Sequence, residues 1–262
     1  ESASKYRSVG LPARRSAASP PVKASSPAHA AGVPRLSLVI PAYNEAALLP
    51  RLLDTIDLAR SRFSGGPDAI EVIVADNSST DATAAIAKAR GCRLARVTRR
   101  MIGASRNGGA ALATAPVICF VDADMQVHSD TFNAIAGAMN DLHLVGGATG
   151  VTMERWSAGI VATYGLLVPF VWLTRMDTGV VFCRRDDFVR VGGYSESRHF
   201  AEDVEFLWKL TRLGWSRGQH LTRLRQVKAI ASVRKFDRFG DWHYFTMMPA
   251  LLISTFSAGC LA

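Results

Sequence analysis

Cysteine is scarce in this chain and never clustered. The four thiols, Cys92, Cys119, Cys183 and Cys260, lie far apart with no C-x-x-C pair, so neither a disulfide framework nor a zinc site is expected. Cys119 and Cys183 stand inside apolar runs, where a free thiol behaves as a small buried hydrophobe, and a reducing compartment is favoured. Acid is also short, with 22 Asp/Glu against 31 Lys/Arg and a net charge of +9. The excess is uneven: residues 1–34 hold Lys5, Arg7, Arg14, Arg15 and Lys23 against Glu1 alone. The rest is mildly cationic, which suits an anionic small ligand and gives no basis for a nucleic-acid partner. The glycine fingerprint of a dinucleotide-binding turn is missing after the first strand, where "PAYNEA" stands instead; this argues against a nicotinamide-dependent oxidoreductase. A Gly-rich basic loop, which a nucleotidyltransferase would need there, is missing too. The apolar run "SAGIVATYGLLVPFVWLT" is 18 residues long, close to bilayer length. It lies mid-domain, contains Pro169 and is flanked by Arg155 and Arg175, so a core helix packing on a sheet is expected rather than a span.

What the chain does have is a regular alternation of strand and helix signals. Residues 1–34 are rich in Ser, Ala and Pro without apolar periodicity and read as a disordered tail. Their Arg/Ser-rich, acid-poor character also resembles an organellar transit peptide. Order begins at "RLSLVIPAYNE", where Leu36–Ile40 reads as a buried strand ended by Pro41. Apolar positions from Glu45 to about Arg62 recur at helical spacing. A strand over Ile70–Ala75, a polar turn and an Ala-rich helix stopped by Gly91 follow. Then come a strand "CRLARV", a basic turn, a helix over Ala104–Thr114 and a strand "PVICFV". Three strand–helix units and a fourth strand predict an α/β fold with an open, mostly parallel sheet and helices on both faces. Farther on, "LVGGATGVTM" reads as a strand, "DTGVVFCRRDDFVRVGGYSE" as strand, short helix and Gly-Gly turn, and "FAEDVEFLWKLTRLG" as an amphipathic helix with Gly214 as C-cap. Residues 35–240 are therefore taken as one domain. The apolar segment 241–262 is taken as an element for a membrane surface or an interface.

Three polar clusters fall at strand C-termini: Pro41–Glu45, Asp76–Asp81 and Asp122–Asp124. In open α/β sheets ligands bind beyond those ends. Within "CFVDADMQVH", Asp122 and Asp124 stand two positions apart, so on a strand they share a face. Their carboxylates repel unless a divalent cation, a helix N-terminus or water lies between them.

The ordered set "VIPAYNE", "VIVADNSSTD", "GASRNGG", "FVDADM", "TGVVFCRRDDFVRVGGY" and "AEDVEFLWKL" resembles the family 2 glycosyltransferases of the GT-A fold, over about Leu36 to Gly214. The resemblance implies a Rossmann-like nucleotide-binding half and a metal-dependent, inverting transfer of one sugar. The donor would be a nucleotide-diphosphate sugar, UDP- ahead of GDP-, and the acceptor a hydroxyl. Asp122 and Asp124 match the family's D-x-D. Asp124 would bind Mn²⁺ or Mg²⁺ directly, and Asp122 the ribose or the metal's water. Asp76 matches the second acid of the usual D-D-G-S turn; Ala75 replaces the first and Asn77 the glycine, and Asn tolerates positive φ. Pro41, Ala42, Tyr43 and Glu45 would line the nucleotide pocket, with Arg99, Arg100 and Arg106 on the same rim. Glu202–Asp203 matches the family's E-D, with Asp203 as base and Glu202 orienting it. Asp177, Thr178 and Gly179, with Gly192, Gly193 and Tyr194, would form the acceptor side. The Q-x-x-R-W motif of processive members is absent. "ASVRKFDRFGDW" instead resembles a segment of small non-processive relatives, from which Arg234 and Lys235 would contact the diphosphate. A degenerate module that binds nucleotide sugar or a partner protein without turnover is the alternative. The expected place is the cytoplasm or the cytoplasmic face of a membrane, with the C-terminal segment as peripheral contact.

Overall fold

A computed structural model describes residues 33–174, 176–197, 202–243, 245 and 246. The tail reading over 1–32, the segment 247–262 and Cys260 lie outside the described residues. Strands β1 (Leu36–Ala42), β2 (Ile70–Asp76), β3 (Arg93–Arg96) and β4 (Val117–Phe120) alternate with helices α1 (Leu49–Ser61), α2 (Thr83–Ala89) and α3 (Ile102–Ala110). These four strands run parallel in the order β3-β2-β1-β4. Each of the seven β1 residues is buried, which is what a strand covered on both faces requires. Leu36, Leu38 and Ile40 pack on α1 and on α4 (Thr131–Met139) through Leu49, Leu52, Ile56 and Phe132. Val39, with Ile73, Ile118 and Phe120, faces the opposite core.

The second half continues the same sheet. A two-residue β5 (Met125–Gln126) precedes α4, and β6 (Leu144–Met153) follows it. Helix α5 (Ala158–Thr174) leads to β7 (Val181–Arg184), which carries straight into α6 (Arg185–Arg190). Then come α7 (Glu202–Trp215), β8 (His220–Ala231) and α8 (Arg234–Phe239). β7 is antiparallel to both β4 and β6, β8 lies parallel to β6, and β5 closes the edge antiparallel to β8. Helices α6 and α7 cover the face where Phe120, Phe188, Tyr194 and Phe206 form one aromatic cluster. Burying four such rings contributes several kcal/mol, at roughly 2–3 kcal/mol each, and ties β4 to the second half of the chain.

Two readings from sequence need correction, and one strand had no reading at all. α5 is not a core helix: Ile160 is buried, but Val161, Leu166 and Val168 are exposed. An all-apolar helix reads as buried, yet this one sits at an edge of the fold. Gly214 does not cap α7, which continues to Trp215. β8, with no sequence-based counterpart, supplies β6 with its parallel neighbour. Among the described residues, no helix is long and apolar enough to cross a membrane. Cys119 and Cys183 are buried, and burial pushes both thiols far up; the Cys92 thiol is raised to about 11 by the same cause. They serve as packing groups.

Candidate active site

The parallel order β2-β1-β4 brings three strand ends to one rim, since Ala42 pairs with Asp76 and the Val121 N–H donates to the Val39 carbonyl. The loops beyond β1 and β2 are interlocked. The Asn44 N–H donates to Ser79 Oγ at 3.0 Å, the Thr80 N–H to Asn44 Oδ1 at 2.8 Å and the Ala46 N–H to Asp81 Oδ2 at 3.0 Å. Asn44 and Ser78 hold positive φ of 54° and 60°. The left-handed residue is thus Ser78, not Asn77, whose side chain is buried. Asp76 accepts from the Ser79 N–H at 3.1 Å. Ala75 is fully buried, its carbonyl accepting from Ser105 of α3. Tyr43 is exposed, and the Arg100 guanidinium lies 4.9 Å from its ring centre, a cation–π arrangement on the open rim.

Beneath that rim, the Arg106 side chain is only 3% exposed. Helix α3 can carry it inward because Gly109 lets the helix lie against Val39 and Ala75 of the sheet, and Gly103 lets it lie against the Ser195 carbonyl. Nη2 donates to Asp122 Oδ1 at 2.7 Å and to Asp203 Oδ2 at 3.1 Å, and Nη1 donates to Glu202 Oε1 at 2.9 Å. The guanidinium also lies 4.9 Å from the ring centre of Tyr194. One buried cation therefore joins the strand-end aspartate to both acids at the start of α7. Burial alone would lower the Arg106 pKa, but Asp203 and Asp122 overcome it and raise the value. Burial pushes Asp203 up to about 6; Arg106 opposes this, and Asp122 and Glu202 add to it. Asp203 Oδ1 lies 3.1 Å from Arg106 Nη1 without an aligned hydrogen bond. With 17% of its side chain still open, this carboxyl can accept a proton from a neighbouring group once pH passes above about 6 and it is ionised.

A second, open cluster holds the other strand-end acid. Arg234, at the start of α8, donates to Glu45 Oε2 at 2.9 Å and to Oε1 at 2.8 Å, while Nη2 reaches Asp124 Oδ2 at 3.5 Å. Burial pushes Asp124 up, the charges of Asp122 and Glu45 add to this, and Arg234 and Lys235 oppose it. The strand-end aspartate pair is thus crowded by a third acid, Glu45, and the place is short of positive charge. No group of three or more His, Cys, Asp or Glu side chains forms a metal cage among the described residues. Asp124, with Asp122 beside it, offers the carboxylate oxygens that a hard divalent cation such as Mn²⁺ or Mg²⁺ would take.

The expected acceptor-side residues separate. Asp177 is buried and ion-paired with Arg223 of β8, bonding to neither cluster. Thr178 is exposed beside it, and Gly179 sits against Thr149, whose hydroxyl accepts from the Val180 N–H. Tyr194 does not line an open wall: its ring is buried and stacks on Phe206 at 4.4 Å. Gly193, at φ 63°, lets the chain turn there, and the Tyr194 N–H then donates to Asn107 Oδ1 at 3.0 Å. A Cβ at Gly193 would stand 2.7 Å from that same oxygen. Asn107, Arg223 and Glu154, which accepts from the Val233 N–H, were not singled out from sequence. Their partners lie too far away along the chain for spacing to reveal.

A profile described as Glycosyl transferase family 2 matches residues 37–220. Validoxylamine A glucosyltransferase of Streptomyces hygroscopicus subsp. limoneus is 40% identical over 105 residues, covering 38% of this chain and 22% of that protein. The 4,4'-diaponeurosporenoate glycosyltransferase of Staphylococcus haemolyticus is 31% identical over 102 residues, covering 36% and 25%. The chain thus spans about a quarter or less of the length of these relatives. Among solved structures, S. aureus TarS 1–349 superposes with a TM-score of 0.61 at 19% identity, covering 76% of this chain and 60% of that one. A Pyrobaculum calidifontis mannosyltransferase, solved with GDP-Man and Mn²⁺, gives 0.60 at 22% identity, covering 77% and 57%. These likenesses show a shared fold, the open, mostly parallel GT-A sheet. With the profile covering more than half of the chain, the chain belongs to glycosyl transferase family 2.

Proposed function

We propose that this chain is a metal-dependent, inverting glycosyltransferase that moves one sugar from a nucleotide-diphosphate sugar, UDP- ahead of GDP-, to an acceptor hydroxyl. The observation that carries the reading is the buried Arg106 bridge, which brings Asp122 and Asp203 together on one guanidinium nitrogen, Nη2. Family membership supports the reaction class. The nucleotide would lie over the interlocked loops, its base near Asp76 and the Tyr43–Arg100 pair, with Pro41 and Ala42 as floor. A divalent cation at Asp124, when bound, would neutralise charge on the departing diphosphate. The acceptor oxygen bonds to the anomeric carbon from the face opposite the leaving group. The bond from that carbon to the diphosphate oxygen breaks, and the diphosphate keeps the electron pair. Asp203 takes the hydroxyl proton, and Arg106 holds it in line and stabilises its charged form. Glu202, on the same guanidinium, keeps Arg106 from swinging toward the substrate. Arg234 exchanges Glu45 for the diphosphate, a charge-assisted bond that forms only when nucleotide is present.

The test is calorimetric titration of UDP and GDP with and without Mn²⁺, on the wild type and on Asp124→Ala. Metal-dependent binding of one nucleotide, lost in the variant, is expected. A folded protein that binds neither would sink the reading. Binding without any transfer to a panel of hydroxyl acceptors, and without donor hydrolysis, would leave the non-catalytic module.

A further inference from the structure

Single exposed hydrophobic side chains are common on folded proteins and carry no message. Here six large ones fall on two segments that touch. Trp156, Val161 and Leu166 lie in or next to α5, and Phe239, Trp242 and Phe245 lie at and beyond the end of α8, each between 39% and 54% exposed. Three observations join the segments. Arg155 donates to Asp237 at 2.6 Å and to Asp241 at 2.8 Å. Ile160 is buried against Val233 and Phe236. Gly159 lies so close to the second segment that a Cβ there would meet the Asp241 carbonyl oxygen at 2.5 Å. The two segments are thus one built surface.

From this surface we infer that α5 and the α8–246 segment together form a docking face for a lipid bilayer, lying in the headgroup–acyl boundary without spanning it. Its composition matches that boundary. α5 carries no charged residue over Ala158–Thr174, so burial in protein or hydrocarbon is the only environment that satisfies its whole circumference. The aromatic residues at its margin, Trp156, Trp242 and Phe245, have the amphipathic or flat rings that settle at membrane–water interfaces. Asp237 and Asp241, the acids of the face, share one ion-pair partner, Arg155. Arg238 is exposed, its guanidinium 5.2 Å from the Phe239 ring centre, which sets a positive group beside the face for anionic headgroups. The chain also continues from this face into 247–262, a sequence without a single charge. The inference does not depend on the transferase reading.

The test is flotation of the full chain with phosphatidylcholine vesicles and with vesicles that also contain phosphatidylglycerol. Binding to the anionic vesicles is expected. Leu166→Asp or Trp242→Ser should each weaken it by about tenfold or more, because each takes an apolar anchor out of the interface. Leu142→Asp serves as control, since Leu142 is exposed just before β6, whereas α5 follows its far end. Thermal unfolding verifies that the variants stay folded, as substitutions at exposed positions should. Loss of binding in Ile253→Asp alone, with Leu166→Asp unaffected, would assign the contact to the 247–262 segment and overturn the proposal. So would the absence of binding to either vesicle, or a stable dimer in sedimentation velocity that Leu166→Asp dissociates.

Discussion

Arg106 and Arg234 each answer one carboxylate of the Asp122–Asp124 pair, but the side chain of the first is 3% exposed and that of the second 46%. Arg106 has three carboxylate partners drawn from the end of β4 and the start of α7, all within hydrogen-bond reach. Arg234 makes a bidentate pair with Glu45 and only a long approach to Asp124. Removing a partner from a buried ion network leaves uncompensated charge and is costly, whereas a surface pair is worth about 0–1 kcal/mol. The same residue type is therefore framework in one place and exchangeable in the other. The difference lies in burial, not in sequence.

The comparison can be broken most decisively at Arg106. Arg106→Met should leave Asp122, Glu202 and Asp203 facing one another and cost about 3–5 kcal/mol in urea unfolding, with Arg106→Lys recovering only part. An unchanged midpoint would refute its framework role. Next comes Asp203→Asn, which removes one acid from a crowded cluster. It should keep the fold and lower kcat/KM by about 10²–10⁴. Because the raised carboxyl must be ionised to accept a proton, wild-type activity should rise as pH passes upward through about 6, and the variant should lose that step. The linkage sign is the reverse for stability. A carboxyl that holds its proton more tightly when folded contributes stability below its unfolded pKa of about 4, lost as pH rises to about 6. Wild type should thus lose stability over that window relative to Asp203→Asn. A smaller effect is expected at Gly193→Ala, about 1–3 kcal/mol from strain at positive φ, read as a lowered unfolding midpoint. Smallest is Arg234→Ala. Its unfolding free energy should shift by less than about 1 kcal/mol, while metal-dependent nucleotide affinity falls roughly tenfold, a charge-assisted contact of about 1.5–3 kcal/mol being partly replaced by water.

Much of this organisation was legible in the residues. β1, β2 and β4 stand out as short apolar runs with polar ends, and "LVGGATGVTM" coincides with β6 because both its faces are covered. β8 was not legible. Its buried residues Leu221, Leu224, Val227 and Ala229 break the period of two, since register shifts against β6 interrupt the strand. The two acidic motifs were visible as separate pieces, but their meeting on Arg106 joins residues nearly a hundred positions apart. A cation in an Ala/Gly helix reads as surface until the fold turns it inward. α5 misled for the opposite reason: uniform apolarity signals burial but does not say in what.

The interlocked turns beyond β1 and β2 have one further consequence. Their main-chain N–H groups are already tied across to Asn44, Ser79 and Asp81, so that half of the site is rigid before any ligand arrives. A nucleoside lacking phosphates would touch only this half and bind with little loss of conformational freedom. In the proposed reaction, rearrangement would begin with the diphosphate, which would draw Arg234 off Glu45. Nucleoside and nucleoside diphosphate should therefore differ more in the entropy of binding than in the contacts made by the base.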